Sequence, residues 1–255
     1  MIEESTIDKE GDLFPEESLK EVVEAGVFYG RKKTKTHPKM KPYVLTNRGG
    51  IEIINLYKTL EGLEQSMNFV KAKAQGVILL LGTQPAAFQR IVKLAQEFGY
   101  PYVVSRWLGG TLTNFKIISK RVEYLKKLRA DAATGVFEKY TKKERAIIES
   151  KMNHLEEVLG GLENLNRLPD VLLVVDPNLH TTAVREAKRL KIPVLAFANI
   201  DGDPSDLDYF VVGNNKSRKS VEWFLGKMEQ AMREGKSATP AGPVMPVEET
   251  AVNVS

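Results

Sequence analysis

Val77-Ile78-Leu79-Leu80-Leu81-Gly82 is an unbroken apolar run closed by a glycine. A strand with one wet face would alternate apolar and polar residues, so an unbroken run indicates a strand covered on both faces in a parallel sheet. Working outward, the downstream residues Phe88, Ile91, Val92 and Ala95 mark one side of a helix over about Pro85–Phe98, and Tyr102–Val104 reads as the next strand. Upstream, Ile51–Leu56 is a short apolar run. Asn55 then suits the N-cap of a helix with apolar positions at Leu56, Leu60, Leu63, Met67, Val70 and Ala74, spaced 4, 3, 4, 3, 4. The alternation resumes with Val171–Val175, a helix near Thr181–Leu190, strands at Val194–Phe197 and Tyr209–Val212, and a final helix near Ser217–Met232. Strand–helix units of this length imply right-handed crossovers and a doubly wound α/β fold with a mainly parallel sheet.

The interruption, residues 114–164, is of another kind. Ile118, Val122, Leu125 and Leu128 are followed by a polar turn near Asp131–Gly135, and then by Ile148, Met152, Leu155, Leu159 and Leu162. Their 4–3 spacing predicts an inserted antiparallel coiled-coil helical hairpin. Lys116, Lys120, Arg121, Lys126, Lys127 and Arg129 load its first arm with charge, as a solvated surface or as a contact face. The expected organisation is an acidic flexible N-terminus over 1–15, one α/β domain from segments 16–113 and 165–235, the hairpin over 114–164, and a disordered proline-containing tail over 236–255.

Between Gly30 and Pro42 stand Arg31, Lys32, Lys33, Lys35, Lys39 and Lys41 with no acid among them. Such a run has little apolar surface to bury and its charges repel, so the expectation is an extended arm, with Pro38 and Pro42 stiffening it, mobile until it meets RNA or DNA phosphates. The alternative is a solvated basic loop or a localisation signal. Residues 1–24 hold nine acids against Lys9 and Lys20, a balance of −7; the net charge of +4 leaves +11 on the remainder, as suits a polyanion binder. The absence of cysteine excludes disulfides, thiolate metal sites and cysteine nucleophiles. No apolar run approaches a membrane-crossing length, and a soluble cytoplasmic protein is expected.

Specific enzyme signals are missing. No two glycines stand two apart, which removes the dinucleotide-binding turn, and neither a Walker phosphate loop nor G-x-S-x-G occurs. The three histidines, His37, His154 and His180, do not stand at metal-ligand spacing. Leu172–Asp176 resembles an apolar strand ending in a magnesium-holding Asp, but without a phosphate loop Asp176 is expected to cap the following turn. Gly109-Gly110-Thr111 could bind an anion through backbone N–H groups if a helix follows, with Thr113 or Asn114 as its cap. No catalytic residue, cofactor or metal is expected.

Several segments together carry a family resemblance. They are Glu24-Ala25-Gly26-Val27 with Gly30, Pro38-Lys39-Met40-Lys41-Pro42-Tyr43, Asn47-Arg48, Gly50-Ile51 with Ile53-Ile54-Asn55-Leu56, Arg106-Trp107-Leu108-Gly109-Gly110-Thr111-Leu112-Thr113-Asn114, Leu168-Pro169-Asp170 with Asp176, and Ile192-Pro193-Val194. In order and spacing, from about residue 16 to 235, the chain resembles the bacterial ribosomal protein S2 family. The resemblance implies a structural protein of the small ribosomal subunit, with an α/β domain and a coiled-coil hairpin. It also implies contact with small-subunit rRNA near the head–body junction, neighbouring ribosomal proteins as partners, and docking of the mRNA-capturing ribosomal protein S1. On that basis rRNA contact is expected at Arg31, Lys32, Lys33, Lys35, Lys39, Lys41, Arg48, Arg106, Lys116 and Lys120. A structural role is expected for Trp107, Gly109, Gly110 and Asn114, with Trp107 either a packing wedge or a base-stacking platform.

Three positions depart from the family pattern. Phe28, Tyr29 and Arg31 replace the usual histidines around Gly30, Thr36-His37 replaces Trp-Asn, and Asn215-Lys216 replaces an acidic pair, so a metal site built on those groups is not expected. Two other functions stay open from the residues alone: a protein–protein scaffold without RNA contact, and a nucleotide-dependent enzyme with a degenerate phosphate loop.

Overall fold

A computed structural model of the chain describes residues 15–237. The expected acidic N-terminus lies outside the described residues but for Pro15, and the expected tail does so from 238 onward. The main sheet comprises β4 (Ile78–Leu81), β5 (Tyr102–Val103), β6 (Val171–Val175), β7 (Val194–Ala198) and β8 (Tyr209–Val212). Its order is β5-β4-β6-β7-β8 and every pairing is parallel, with Ile78 beside Val171, Leu172 beside Val194 and Leu195 beside Tyr209.

Alternate residues of each strand feed two separate cores. Ile78, Leu80, Leu173, Leu195 and Phe197 face one side. There they meet α1 (Glu16–Glu24), α2 (Leu56–Lys73), α3 (Pro85–Phe98) and α7 (Arg218–Ser237). Leu79, Leu81, Leu172, Val174 and Ala196 face the other. That layer holds α4 (Phe115–Ala133), α5 (Lys142–Leu159) and α6 (Thr181–Arg189). Leu79, Leu80 and Leu81 have no exposed surface at all. Burying each contributes about 1.5–3 kcal/mol, which explains why an unbroken apolar run folds stably only as a central strand. The chain is thus an α/β protein with helices on both faces of a parallel sheet.

Ile51–Leu56 does not open this alternation. Residues Ile51–Ile54 form β3 of a separate antiparallel sheet of order β1-β3-β2, with β1 at Tyr29–Lys32 and β2 at Val44–Arg48. The two-residue turn Gly49-Gly50 joins β2 to β3, both glycines having positive φ (58° and 81°), the conformation a tight hairpin turn demands. Asn55 then accepts the Tyr57 N–H at 3.0 Å and starts α2 as expected.

Two helices occupy the insertion, and Ile118, Val122, Leu125 and Leu128 are buried. Tyr124–Lys151 and Arg129–Glu156 link the two helices, and Arg129 also reaches Glu163 just beyond α5. Their contact is also apolar: Met152 and Leu155 pack on the same core as Ile118, Val122 and Leu125. The outer turns of α5 face solvent, with Ile147 60% exposed, and Leu159 is its one buried residue. Thr141 and Glu144 form a reciprocal capping box, so the helix start is stabilised locally without a partner.

Candidate nucleic-acid interface

The basic segment is not an extended arm. Arg31 and Lys32 end β1, Lys33–Lys35 make one 3-10 turn, and Pro38–Tyr43 make another. Met40 anchors it: the side chain has no exposed surface and packs with Ile54, Ile200 and Val212. The His37 N–H donates to the Ile200 carbonyl at 2.9 Å, the Lys33 N–H donates to the Gly50 carbonyl at 3.2 Å, and the Thr36 hydroxyl donates to Glu52. One buried methionine and its backbone bonds supply what the charge pattern alone could not, and the segment becomes a clamp across the carboxyl ends of β7 and β8. The prolines serve 3-10 turns here instead of holding an extended chain.

Folding divides the six basic residues into two groups. Arg31 donates to Asp201 (3.2 Å) and Asn215 (2.9 Å), which makes it an internal tie. Lys39 pairs with Asp203 at 3.3 Å. The Ser205 hydroxyl and amide, and then Lys39, hold the Asp203 carboxyl down to about 2, so it stays ionised beside Lys39 at any physiological pH. Lys32, Lys33, Lys35 and Lys41 are exposed and make no ion pair among the described residues, and Arg48 on β2 behaves likewise. Arg106, Lys116 and Lys120 are also exposed. Arg106 follows β5, the edge strand opposite β8, and those two strands stand about 19 Å apart at 4.8 Å per strand step. The clamp residues are therefore brought together, whereas Arg106, after β5, and Lys116 and Lys120, on α4, lie outside the clamp.

At the base of α4, the motif Trp107–Asn114 does bind an anion, and the anion is internal. Glu186 on α6 is 8% exposed, and its carboxylate accepts the N–H groups of Gly110 (2.8 Å), Leu112 (3.0 Å) and Thr113 (3.1 Å), the Thr113 hydroxyl (3.2 Å) and the Trp107 indole N–H (3.1 Å). Gly110, at φ 88°, turns the backbone so that these amides converge. Asn114 stands at the N-cap of α4, but its side chain makes no cap bond, and Thr113 is committed to Glu186. Sequence reasoning missed Glu186 because its partners are more than 70 residues away and it lies in an ordinary helical pattern. Its position on the buried face of α6 was the one available hint.

Trp107 is half-buried against the core of that layer, which favours the wedge over the stacking platform. Trp107→Ala is expected to lose about 2 kcal/mol, less than the 3–5 of a fully buried aromatic, and to lower the melting temperature by about 5 °C. An unchanged melting curve, read by circular dichroism, would contradict the wedge.

Asp176 has a different task from the one expected. The turn after β6 is closed by its backbone carbonyl, which accepts the Leu179 N–H. The buried carboxylate instead accepts Gln84 Nε2 at 2.5 Å and Lys216 Nζ at 3.1 Å. Where the chain departs from the family pattern, basic side chains therefore face acids: Arg31 with Asp201, and Lys216 with Asp176.

Among the described residues no helix is long and apolar enough to cross a membrane. The family model for ribosomal protein S2 matches residues 22–235, which takes in both sheets, the basic clamp and the Trp107–Asn114 motif. With most of its length so matched, the chain belongs to the ribosomal protein S2 family, the structural proteins of the small ribosomal subunit that serve translation.

Proposed function

We propose that the protein binds small-subunit rRNA through the exposed basic face of its clamp, Lys32, Lys33, Lys35, Lys41 and Arg48, with Arg106, Lys116 and Lys120 as a second set of contacts. It would also help to hold neighbouring ribosomal proteins, ribosomal protein S1 among them, on the subunit. The observation that carries the rRNA reading is a set of five cations, unpaired among the described residues, on backbone already fixed by Met40 and the small sheet. Because the backbone is ordered before binding, less entropy is lost when phosphates are met. Arg31 and Lys39 contribute less, since each already has a carboxylate partner.

Phosphate contacts release counterions, with a salt slope of about 0.7 to 0.9 per phosphate neutralised. Replacing Lys32, Lys33 and Lys35 together by Gln is expected to flatten log K against log salt by about two units, while the melting temperature stays unchanged. An unaltered slope would remove these residues from the interface and favour a scaffold docked by protein contacts alone. The S1 reading rests on family membership, and subunits lacking this protein are expected to be depleted of S1 after gradient sedimentation.

A further inference from the structure

The sheet order carries a second consequence. From β4 the chain goes outward to β5, then returns to β6 on the other side, so a crevice opens at the carboxyl ends of these strands. Open α/β sheets receive ligands at such a switch point. A cavity of about 410 Å³ lies there, lined among others by Thr83, Ser105, Arg106, Gly109, His180 and Thr182. That volume accommodates a phosphate group with a nucleoside attached.

Its walls are rich in donors. α6 is nine residues long, and the N–H groups of Thr181, Thr182 and Ala183 in its first turn donate to no backbone carbonyl among the described residues. These amides and the helix dipole favour an anion. The neighbouring α3 offers no such end: it starts at Pro85, which has no N–H, and the Thr83 N–H is bonded to His180 Nε2 at 3.4 Å. His180 is only 4% exposed yet lines the cavity. Since Nε2 accepts, the ring proton resides on Nδ1, which has no protein partner among the described residues. Burial, against the pull of Asp176, brings the His180 pKa down to about 4, so the ring is a neutral donor near pH 7. Arg106 is exposed beside it and makes no ion pair among the described residues. The nearby acids are already occupied: Asp176 holds Lys216 and Gln84, and Glu186 takes five donors.

We propose that this cavity is a phosphate-binding site, in which Arg106, the Thr182 hydroxyl, the first-turn amides of α6 and His180 Nδ1–H surround one phosphate group. The site does not depend on which clamp residues touch rRNA. Its phosphate has two sources, a free 5′-mononucleotide or an internal phosphate of an RNA strand. The test is nuclear magnetic resonance of the full chain, titrated in turn with inorganic phosphate, adenosine 5′-monophosphate, and the dinucleotide UpU, which has only an internal diester. Saturable shifts at the His180 ring and the Thr181–Ala183 amides are expected. Arg106→Gln and Thr182→Val, both at exposed positions, should each weaken them about tenfold. A response to UpU assigns the site to an RNA strand, and a response to the other two alone assigns it to a nucleotide. No saturable shift with any of the three, or unchanged affinity in both variants, overturns the proposal.

Discussion

Glu186→Ala is expected to destabilise the protein by about 3–5 kcal/mol, because it leaves the buried Leu112 amide, the partly buried Gly110 and Thr113 amides and the Trp107 indole N–H without their acceptor. For a chain of this size that lowers the melting temperature by about 10 °C. Glu186→Gln should fall in between, since its amide keeps one accepting oxygen but turns an NH₂ group toward the remaining donors. The pH dependence follows from the same geometry. Burial raises the Glu186 carboxyl, but the Gly110 amide, the Trp107 indole and the Thr113 and Leu112 amides outweigh it and hold the group below its ordinary 4.5. A carboxylate depressed by folding contributes stability that is complete above the unfolded value and is lost as pH falls through the folded one. The melting temperature of the unaltered protein should therefore decline below about pH 4.5 more steeply than that of Glu186→Gln. Parallel curves would show that Glu186 is not the acceptor for this motif.

Met40→Ala is expected to release the basic clamp while the main sheet stays intact. Truncating a fully buried methionine costs about 2–5 kcal/mol. Here the loss falls on a cluster of only four buried residues, Met40, Ile54, Ile200 and Val212. If it opens the segment locally, the His37 and Met40 amides, which donate to Ile200 and His37, should exchange about 30-fold to 4,000-fold faster. Amides of β4 and β6 should be unaffected. Unprotected exchange of His37 in the unaltered protein would mean that the clamp does not stay docked in solution. The same variant should bind rRNA more weakly even though no cation has been removed, because the ordering cost then falls on the binding step.

The parallel sheet was legible because its signal is local. Val77–Leu81 and Val171–Val175 are unbroken apolar runs, and a run that long has few places to go except between two helical layers. Helix starts at Asn55 and Pro85 were legible for the same reason, since a cap needs only its own few residues. The basic segment misled because charge is dense from Arg31 to Lys41, while its one anchor, Met40, counts as a single apolar residue in sequence. Its value comes from Ile200 and Val212, more than 150 residues further on. Asp201 and Asn215 likewise convert Arg31 from a candidate phosphate contact into an internal tie.

The amino-acid sequence by itself determined the strand–helix alternation, the position of the insertion, the uneven charge and the family motifs. Each depends on the period or identity of neighbouring residues, which chain geometry turns directly into structure. Only the tertiary structure decided that the basic run folds into a clamp, that Glu186 holds the Trp107–Asn114 motif, and that Arg106 and His180 line one cavity. Those outcomes depend on contacts between residues distant in sequence, and a buried polar or apolar group takes its role from whatever the fold brings within about 3–4 Å of it.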